Sequence, residues 1–476
     1  MGEAGGNGLA QSAGEHEKCA ARGPWPLMRR LVLAYIAIAF LLSATVTLLL
    51  MSNGNGFVDA VKRTPMGSVV TLAQPTDSDS WMPLLKTRDR MKTNPEGGLY
   101  AVFRNGEWKF QYPPIALLIA EAVPEHMAAE ARTGWFSSSL IRWNSWFCRA
   151  MILLTLLVSG AIVVQSQRCY GTGQQSLRTE WLMAGSAMLL GITYMPILGG
   201  YSLGQFQLAC NALVALAILL FLQKRQLCAG IVIGLFCLIK PQLALVGLWA
   251  LLRREYRLAI GMALIGVPGV LLSVALYGVQ SLVDYAGVLQ TLSRQSEAYF
   301  YNQSLAGILL RFRDPQLSTL LLPMGSPLPP YVGWIHQIST IHTGLLILLA
   351  LVIRSKVPGT AVRLVDFCAM ITVATVASPV AWNHHFGVLF PVFLAIAPIV
   401  FAMPRRAVPL TLLSLAWLAI GAAVIMPDAL YHSRWTGLLG EQMFVGGQIL
   451  VALLVLIQLR ARGERAGHPT GPDVSP

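Results

Sequence analysis

The chain has 476 residues, 55% of them hydrophobic and 12% charged, with a formal net charge of +13. Soluble globular domains carry about 25% charged residues, and transmembrane barrels show short alternating segments; long apolar runs exclude both and point to an all-α polytopic membrane protein. The positive charge does not indicate nucleic acid, because most basic residues sit at the ends of apolar runs, where the positive-inside rule places them. Seven scattered cysteines show neither metal-ligand spacing nor a disulfide framework.

Residues 1–29 are polar and rich in Gly and Ala, and read as a disordered cytoplasmic tail. They lack the apolar core and cleavage site of a signal peptide. The first span therefore stays in the chain, from Leu31 to Met51, with Arg29 and Arg30 holding the N-terminus inside. Residues 53–138 form a large first outer loop. Tyr112 to Pro124 within it is apolar but too short to span. It reads as a juxtamembrane helix with Pro113 and Pro114 in its first turn.

Further spans are expected over Trp143–Val164, Trp181–Gly199 and Leu208–Leu222. Leu227–Leu252 has basic clusters at both ends and Lys240-Pro241 in the middle, which predicts two short helices with Lys240 near the turn. Leu258–Tyr277 leads to a second outer region, residues 278–335, with an amphipathic run from Ser304 to Phe312. The remaining spans are Ile338–Ile353, Leu364–Val376, Phe386–Phe401, Val408–Met426 and Phe444–Leu459. Residues 30–462 thus read as one transmembrane domain of about twelve helices, some short, with both termini cytoplasmic. Residues 463–476 are a cytoplasmic tail.

The unusual polar residues fall toward one face. Asp77 and Asp79 lie in the first outer loop, Gly204-Gln205 at an outer turn, Asn302-Gln303-Ser304 in the second outer region, and Trp382-Asn383-His384-His385 at another outer turn. Lys240 points toward the same half. Most of these have plain readings: a loop Asp as a solvated cap, paired His as interfacial residues, Tyr-Pro-Pro as a helix start, Asn302-Gln-Ser304 as a glycosylation sequon. Lys240 is harder to dismiss, because an intramembrane lysine is costly unless it snorkels. The set fits sugar transfer from a lipid-linked phosphate. A carboxylate takes a proton from an acceptor hydroxyl, and a cation neutralises the departing phosphate. A transporter or lipid flippase is the alternative, but no related halves are visible.

Together Phe110-Gln-Tyr112-Pro113-Pro114, Gly204-Gln205, Ala229-Gly230 leading to Lys240-Pro241, Arg253-Arg254, Asn302-Gln303-Ser304 with Arg311, and Ser378-Pro379 leading to Trp382-Asn383-His384-His385 resemble glycosyltransferase family 87 of the C-type (GT-C) superfamily. The resemblance implies a GT-C-like fold and transfer of a hexose, mannose in the better-known members, from a polyprenyl phosphate donor. The acceptor would be a lipid or glycan on the outer face of a bacterial inner membrane, with inversion at the anomeric carbon. It implies an Asp general base in the first outer loop. Spacing favours Asp79 over Asp77, with Asp59 a third candidate; the tyrosine the family places four residues on is Pro83 for Asp79 and Trp81 for Asp77. His384 or His385 would orient donor phosphate or acceptor. Lys240 and Arg311 would be phosphate or structural partners. Tyr112, Gln205, Asn302 and Trp382 would complete the substrate site. The family's Asn two residues after the Gln is Gln207 here. No cofactor or metal is implied.

Overall fold

The computed structural model describes residues 25–133, 138–171, 175–318, 328–353, 360–424 and 433–466. Among these residues every regular element is helical, and the only extended pairing is a bridge between Asn302 and Trp382. Six helices are long and apolar enough to cross a membrane, beginning with Trp25–Ser52 and Ser139–Tyr170. The pair Leu177–Ile192 and Met195–Ser202, bent by 51°, makes a seventh if it is one broken span. The protein is a multi-pass membrane protein. Four shorter apolar helices, Gln207–Leu222, Gln226–Cys237, Pro241–Leu252 and Ala407–Gly421, were part of the expected twelve. At 1.5 Å per residue, helices of this length cover about 18–24 Å of a core roughly 30 Å thick. By length and composition six described helices can cross a membrane, or seven if the bent pair is one span, and the short ones do not reach the expected twelve by this measure.

The described part of the first helix, Trp25–Ser52, reaches into the expected tail. Residues 1–24 and 467–476 lie outside the described residues. The first loop is largely helical, with Trp81–Thr93 its longest helix, and Pro114 opens a short 3₁₀ turn that runs into Leu117–Glu121. The Lys240 break takes the expected form. Gln226–Cys237 ends, Lys240 is extended (φ −137°, ψ 102°), and Pro241 starts the next turn. Gln226–Cys237 packs backbone to backbone against Tyr256–Gln295. A Cβ on Gly230 would stand 2.1 Å from the Leu258 carbonyl oxygen, and one on Gly261 2.2 Å from that of Leu227. Small residues allow this approach in lipid. Tyr256–Gln295 breaks at Gly278 (φ 75°), so a helical arm continues where an outer loop was expected.

The most buried crossing is Asn383–Ala402, with Phe386, Phe390 and Phe393 at the bundle centre. Two clamps tie loops to this end of the bundle. In the first, Asp77 and Asp79 donate their backbone N–H to the carbonyls of Ser202 (2.8 Å) and Leu203 (3.1 Å). Arg149 and the Tyr201 hydroxyl donate to the carbonyls of Leu72 and Gln74, and Ser145 and Asn144 hold Thr76.

The second clamp lies between residues 296–304 and 378–385. Gln303 N–H donates to Ala381 O (2.8 Å), and Asn383 N–H to Tyr301 O (2.9 Å). The Asn302 side chain accepts from Ala381 N–H (2.9 Å) and donates to Glu297 O (2.7 Å). Arg311 donates to the carbonyls of Ala298, Tyr299 and Asn302, and to both oxygens of buried Glu441 at 2.7 Å. Removing one partner of such a pair strands a buried charge. Arg311→Met is expected to cost about 3–5 kcal/mol, read as a lowered unfolding temperature in detergent, while Arg311→Met/Glu441→Gln recovers part of the loss.

Candidate functional site

Both clamps border one cavity of about 750 Å³. Of the residues expected in a site, Asp79, Tyr112, Gln205, Lys240, Trp382, His384 and His385 line it. Asp77, Asn302 and Arg311 do not. Asp77 turns its carboxylate to its neighbour, accepting from Ser78 N–H (2.7 Å) and Ser78 Oγ (3.1 Å). Asn302 and Arg311 spend their polar atoms on the second clamp behind the cavity wall, which for Arg311 is the structural role expected as an alternative to phosphate binding. The sequon at Asn302 is buried with its amide engaged, so it offers no acceptor in the folded chain. Asp59 is exposed and pairs with Lys62 at 3.3 Å, away from the cavity.

Asp79 is held by a chain of neutral donors. The Gln205 amide donates to Asp79 Oδ2. Gln205 Oε1 accepts from Ser80 Oγ (2.8 Å), and Ser80 Oγ accepts from the Tyr112 hydroxyl (3.0 Å) and Phe206 N–H (3.1 Å). The Tyr100 hydroxyl in turn donates to the Tyr112 carbonyl at 2.7 Å. The Tyr-Pro-Pro and Gly-Gln motifs thus meet at the carboxylate's back. Burial raises the Tyr112 phenol well above its ordinary range, so it stays a donor. Burial is also the largest influence on Asp79, lifting its pKa from 3.8 to about 6 with help from the Asp77 charge, against the Gln205 hydrogen bond and the charges of Lys240 and Lys109.

Lys240 leaves the helix break and donates to Gln207 Oε1 at 2.7 Å. Gln207 also donates to Asn211 Oδ1 (3.0 Å). The position where the family pattern has Asn thus carries a longer amide that reaches the lysine. His384 and His385 sit on the 3₁₀ turn Asn383–Val388 with rings nearly perpendicular (88°). Both are buried, and neither Nδ1 has a hydrogen-bond partner among the described residues. No group of three or more His, Cys, Asp or Glu side chains suited to a metal ion occurs among the described residues.

Sequence reasoning missed several lining residues. Lys109 and Glu297 form an ion pair at 2.6 Å, with Gln111, Tyr299 and Tyr301 beside them. Lys109 stands three residues before Tyr112 and was a usable signal. Glu297 was not, because a loop Glu reads as solvated until the fold buries it.

Glycosyltransferase family 87 matches residues 110–379 of the chain. Over 377 residues, 76% of this chain and 78% of the relative, the chain is 26% identical to a polyprenol-phosphate-mannose-dependent alpha-(1-2)-phosphatidylinositol mannoside mannosyltransferase of Mycolicibacterium smegmatis. No solved structure gives a significant match.

Gly204 explains why Gln205 needs a glycine before it. Its φ is +66°, and a Cβ there would meet the Asp77 carbonyl oxygen at 2.1 Å and Asn144 Nδ2 at 2.7 Å. Gly204→Ala is expected to destabilise the chain by about 1–3 kcal/mol through backbone strain alone. It should also lower turnover more than Gly185→Ala, whose Cβ meets nothing within 4 Å; unfolding temperature and initial rate check both.

Proposed function

The chain belongs to glycosyltransferase family 87, and we propose that it transfers mannose from a polyprenyl phosphate donor to a hydroxyl of a lipid or glycan acceptor, with Asp79 as general base. It is a glycosyltransferase of the membrane. That membership removes the transporter or flippase alternative. The donor assignment takes support from the relative, whose name states polyprenol-phosphate-mannose dependence.

The observation that carries the chemistry is Asp79 on the cavity wall, with a pKa of about 6 and two lysines within charge–charge reach. A base with a pKa near working pH is mostly ionised yet basic enough to accept a proton. In the proposed step the acceptor oxygen bonds to the anomeric carbon and its proton passes to Asp79. The bond from that carbon to the phosphate oxygen breaks, and the phosphate leaves with the electron pair. Lys240, whose partner Gln207 is neutral, offsets the charge growing on the phosphate. His384 and His385 present imidazole to the same space. Attack opposite the leaving group inverts the anomeric carbon. One carboxylate then suffices, unlike the pair of a hydrolase. The site is proposed to open on the outer face of the bacterial inner membrane, with both termini cytoplasmic.

The test is mannosyl transfer in purified membranes from radiolabelled polyprenyl phosphate mannose to endogenous acceptors. Asp79→Asn is expected to lower the rate at least about 100-fold, and Asp77→Asn less than about 10-fold. Loss in Asp77→Asn alone would move the base; transfer unaffected by either would overturn it. Because the base must be ionised, kcat/KM should rise about tenfold per pH unit below about 6 and level off above it. The sign for stability is opposite. A carboxyl whose pKa is higher folded than unfolded costs the fold stability as pH rises from about 4 to about 6. Asp79→Asn should therefore unfold at pH 7 no lower than wild type.

A further inference from the structure

The cavity holds a carboxylate and a cation that the fold keeps apart. Asp79 and Lys240 both line it and lie within charge–charge reach of each other, yet no ion pair joins them among the described residues. In a low-dielectric wall opposite charges attract strongly, and a lysine swings on a flexible four-carbon stem. Each charge is met instead by a neutral amide. Gln205 donates to Asp79 Oδ2, and Gln207 Oε1 accepts from Lys240 Nζ at 2.7 Å. The two amides stand two residues apart, where Gln207 opens the helix Gln207–Leu222. Phe206 between them is locked by its N–H to Ser80 Oγ (3.1 Å) and by edge-on packing with Trp81, ring centroids 4.8 Å apart.

Gln207 is fully buried and does not line the cavity, so it touches no substrate itself. Its orientation is set from behind. A lysine only donates, so the amide oxygen must face Lys240, and the amide nitrogen turns to Asn211 Oδ1 at 3.0 Å. Asn211 is wedged against the turn that carries the histidines: a Cβ on Gly387 would stand 2.3 Å from Asn211 Nδ2. Around Asp79 the other charged or titratable groups are Asp77, Tyr112, and Lys109 paired with Glu297. Around Lys240 they are Cys210, His384 and His385. Of the two lysines only Lys240 rests on a neutral partner, so a neutral substitution at 207 frees one charge and leaves the others paired as they are.

We propose that Gln207 is a positioning residue that holds Lys240 off Asp79, so that base and cation face one cavity without neutralising each other. The inference rests on the glycosyl-transfer reading and adds the residue that keeps its two charged groups separate. It is tested on purified protein in nanodiscs by infrared titration of the Asp79 carboxyl, whose band is the one lost in Asp79→Asn. Gln207→Met keeps the bulk and removes the acceptor, which frees Lys240 to swing onto Asp79. The carboxyl should then titrate at least about one pH unit lower than in wild type. Gln207→Asn keeps an amide that ends about 1.5 Å short, and should shift the titration the same way by less. The pH profile of kcat/KM for mannosyl transfer should move with the titration, and kcat should fall at least about tenfold in Gln207→Met, because a lysine spent on Asp79 no longer offsets charge on the phosphate.

A merely structural role for Gln207 predicts a lowered unfolding temperature with the Asp79 titration unmoved. An unmoved or raised titration in Gln207→Met overturns the proposal. So does a downward shift that persists when Gln207→Met is placed on Lys240→Met, because without the lysine the amide has nothing to hold. Where Gln207→Met does not fold, Gln207→Asn decides: a lowered titration supports the proposal and an unmoved one overturns it. The titration needs no donor or acceptor, so it separates the two readings. Lys240-dependent shifts in a protein that transfers no mannose keep the positioning role and sink the transfer reading. Asp79-dependent transfer with a titration indifferent to Gln207 sinks the positioning role alone.

Discussion

A carboxylate taken out of water is the constraint around which this end of the protein is built. Moving such a charge into a low-dielectric wall costs several kcal/mol unless donors and cations meet it. Asp79 is met by one amide and by two lysines within reach, and burial still prevails, leaving the carboxyl near 6 rather than near 4. Its direct partner is neutral, so the carboxylate is oriented without being neutralised. The same choice recurs one step back. Gln205 is fixed by Ser80, and Ser80 by the Tyr112 hydroxyl and a backbone N–H. A cation in that chain would lower the carboxyl's pKa, and an anion would raise it further.

Holding such a group in a membrane protein raises a second problem, because backbone that leaves a helix must find partners away from water. Three stretches of non-helical backbone reach the cavity: the turn after Met195–Ser202, the extended Lys240, and the turn from Ser378 to Trp382. The first and the third are satisfied by loops that pack on them. The 202–203 carbonyls take the Asp77 and Asp79 amides, and the 378–385 segment pairs with residues 296–304. Arg311 gathers three carbonyls and Glu441 behind that pairing. The polar interior of this site is thus carried by irregular backbone that the cavity itself makes tolerable.

Much of this was legible in the chain. The apolar runs and their basic ends marked the crossings, and Pro241 after an intramembrane lysine marked the break. Gly204-Gln205 marked an outer turn, and the structure showed that only glycine fits it. The helix count was less legible, because hydropathy registers an apolar helix of twelve residues much as it does half of a full crossing. The family resemblance implied places for Asn302 and Arg311 beside the substrate or as structural partners. Whether such a group faces the cavity or braces it from behind depends on contacts with Ala381 and Glu441, far away in sequence.

The sequence by itself determined the membrane class, the helical character, the family, and the polar residues from which a site is made, because composition, apolar length and short motifs are local properties. Only the tertiary structure decided which of those residues share a cavity. Asp79 faces it and Asp77 does not, although they are two residues apart, because the loop is pinned through its amides to the 202–203 carbonyls and one side chain alone is turned inward. Glu297 and Lys109, far apart in the chain, become one neutral wall only when the strained turn at Ser296 brings them together. Charge, burial and direction belong to the assembled cavity, and no stretch of chain carries them alone.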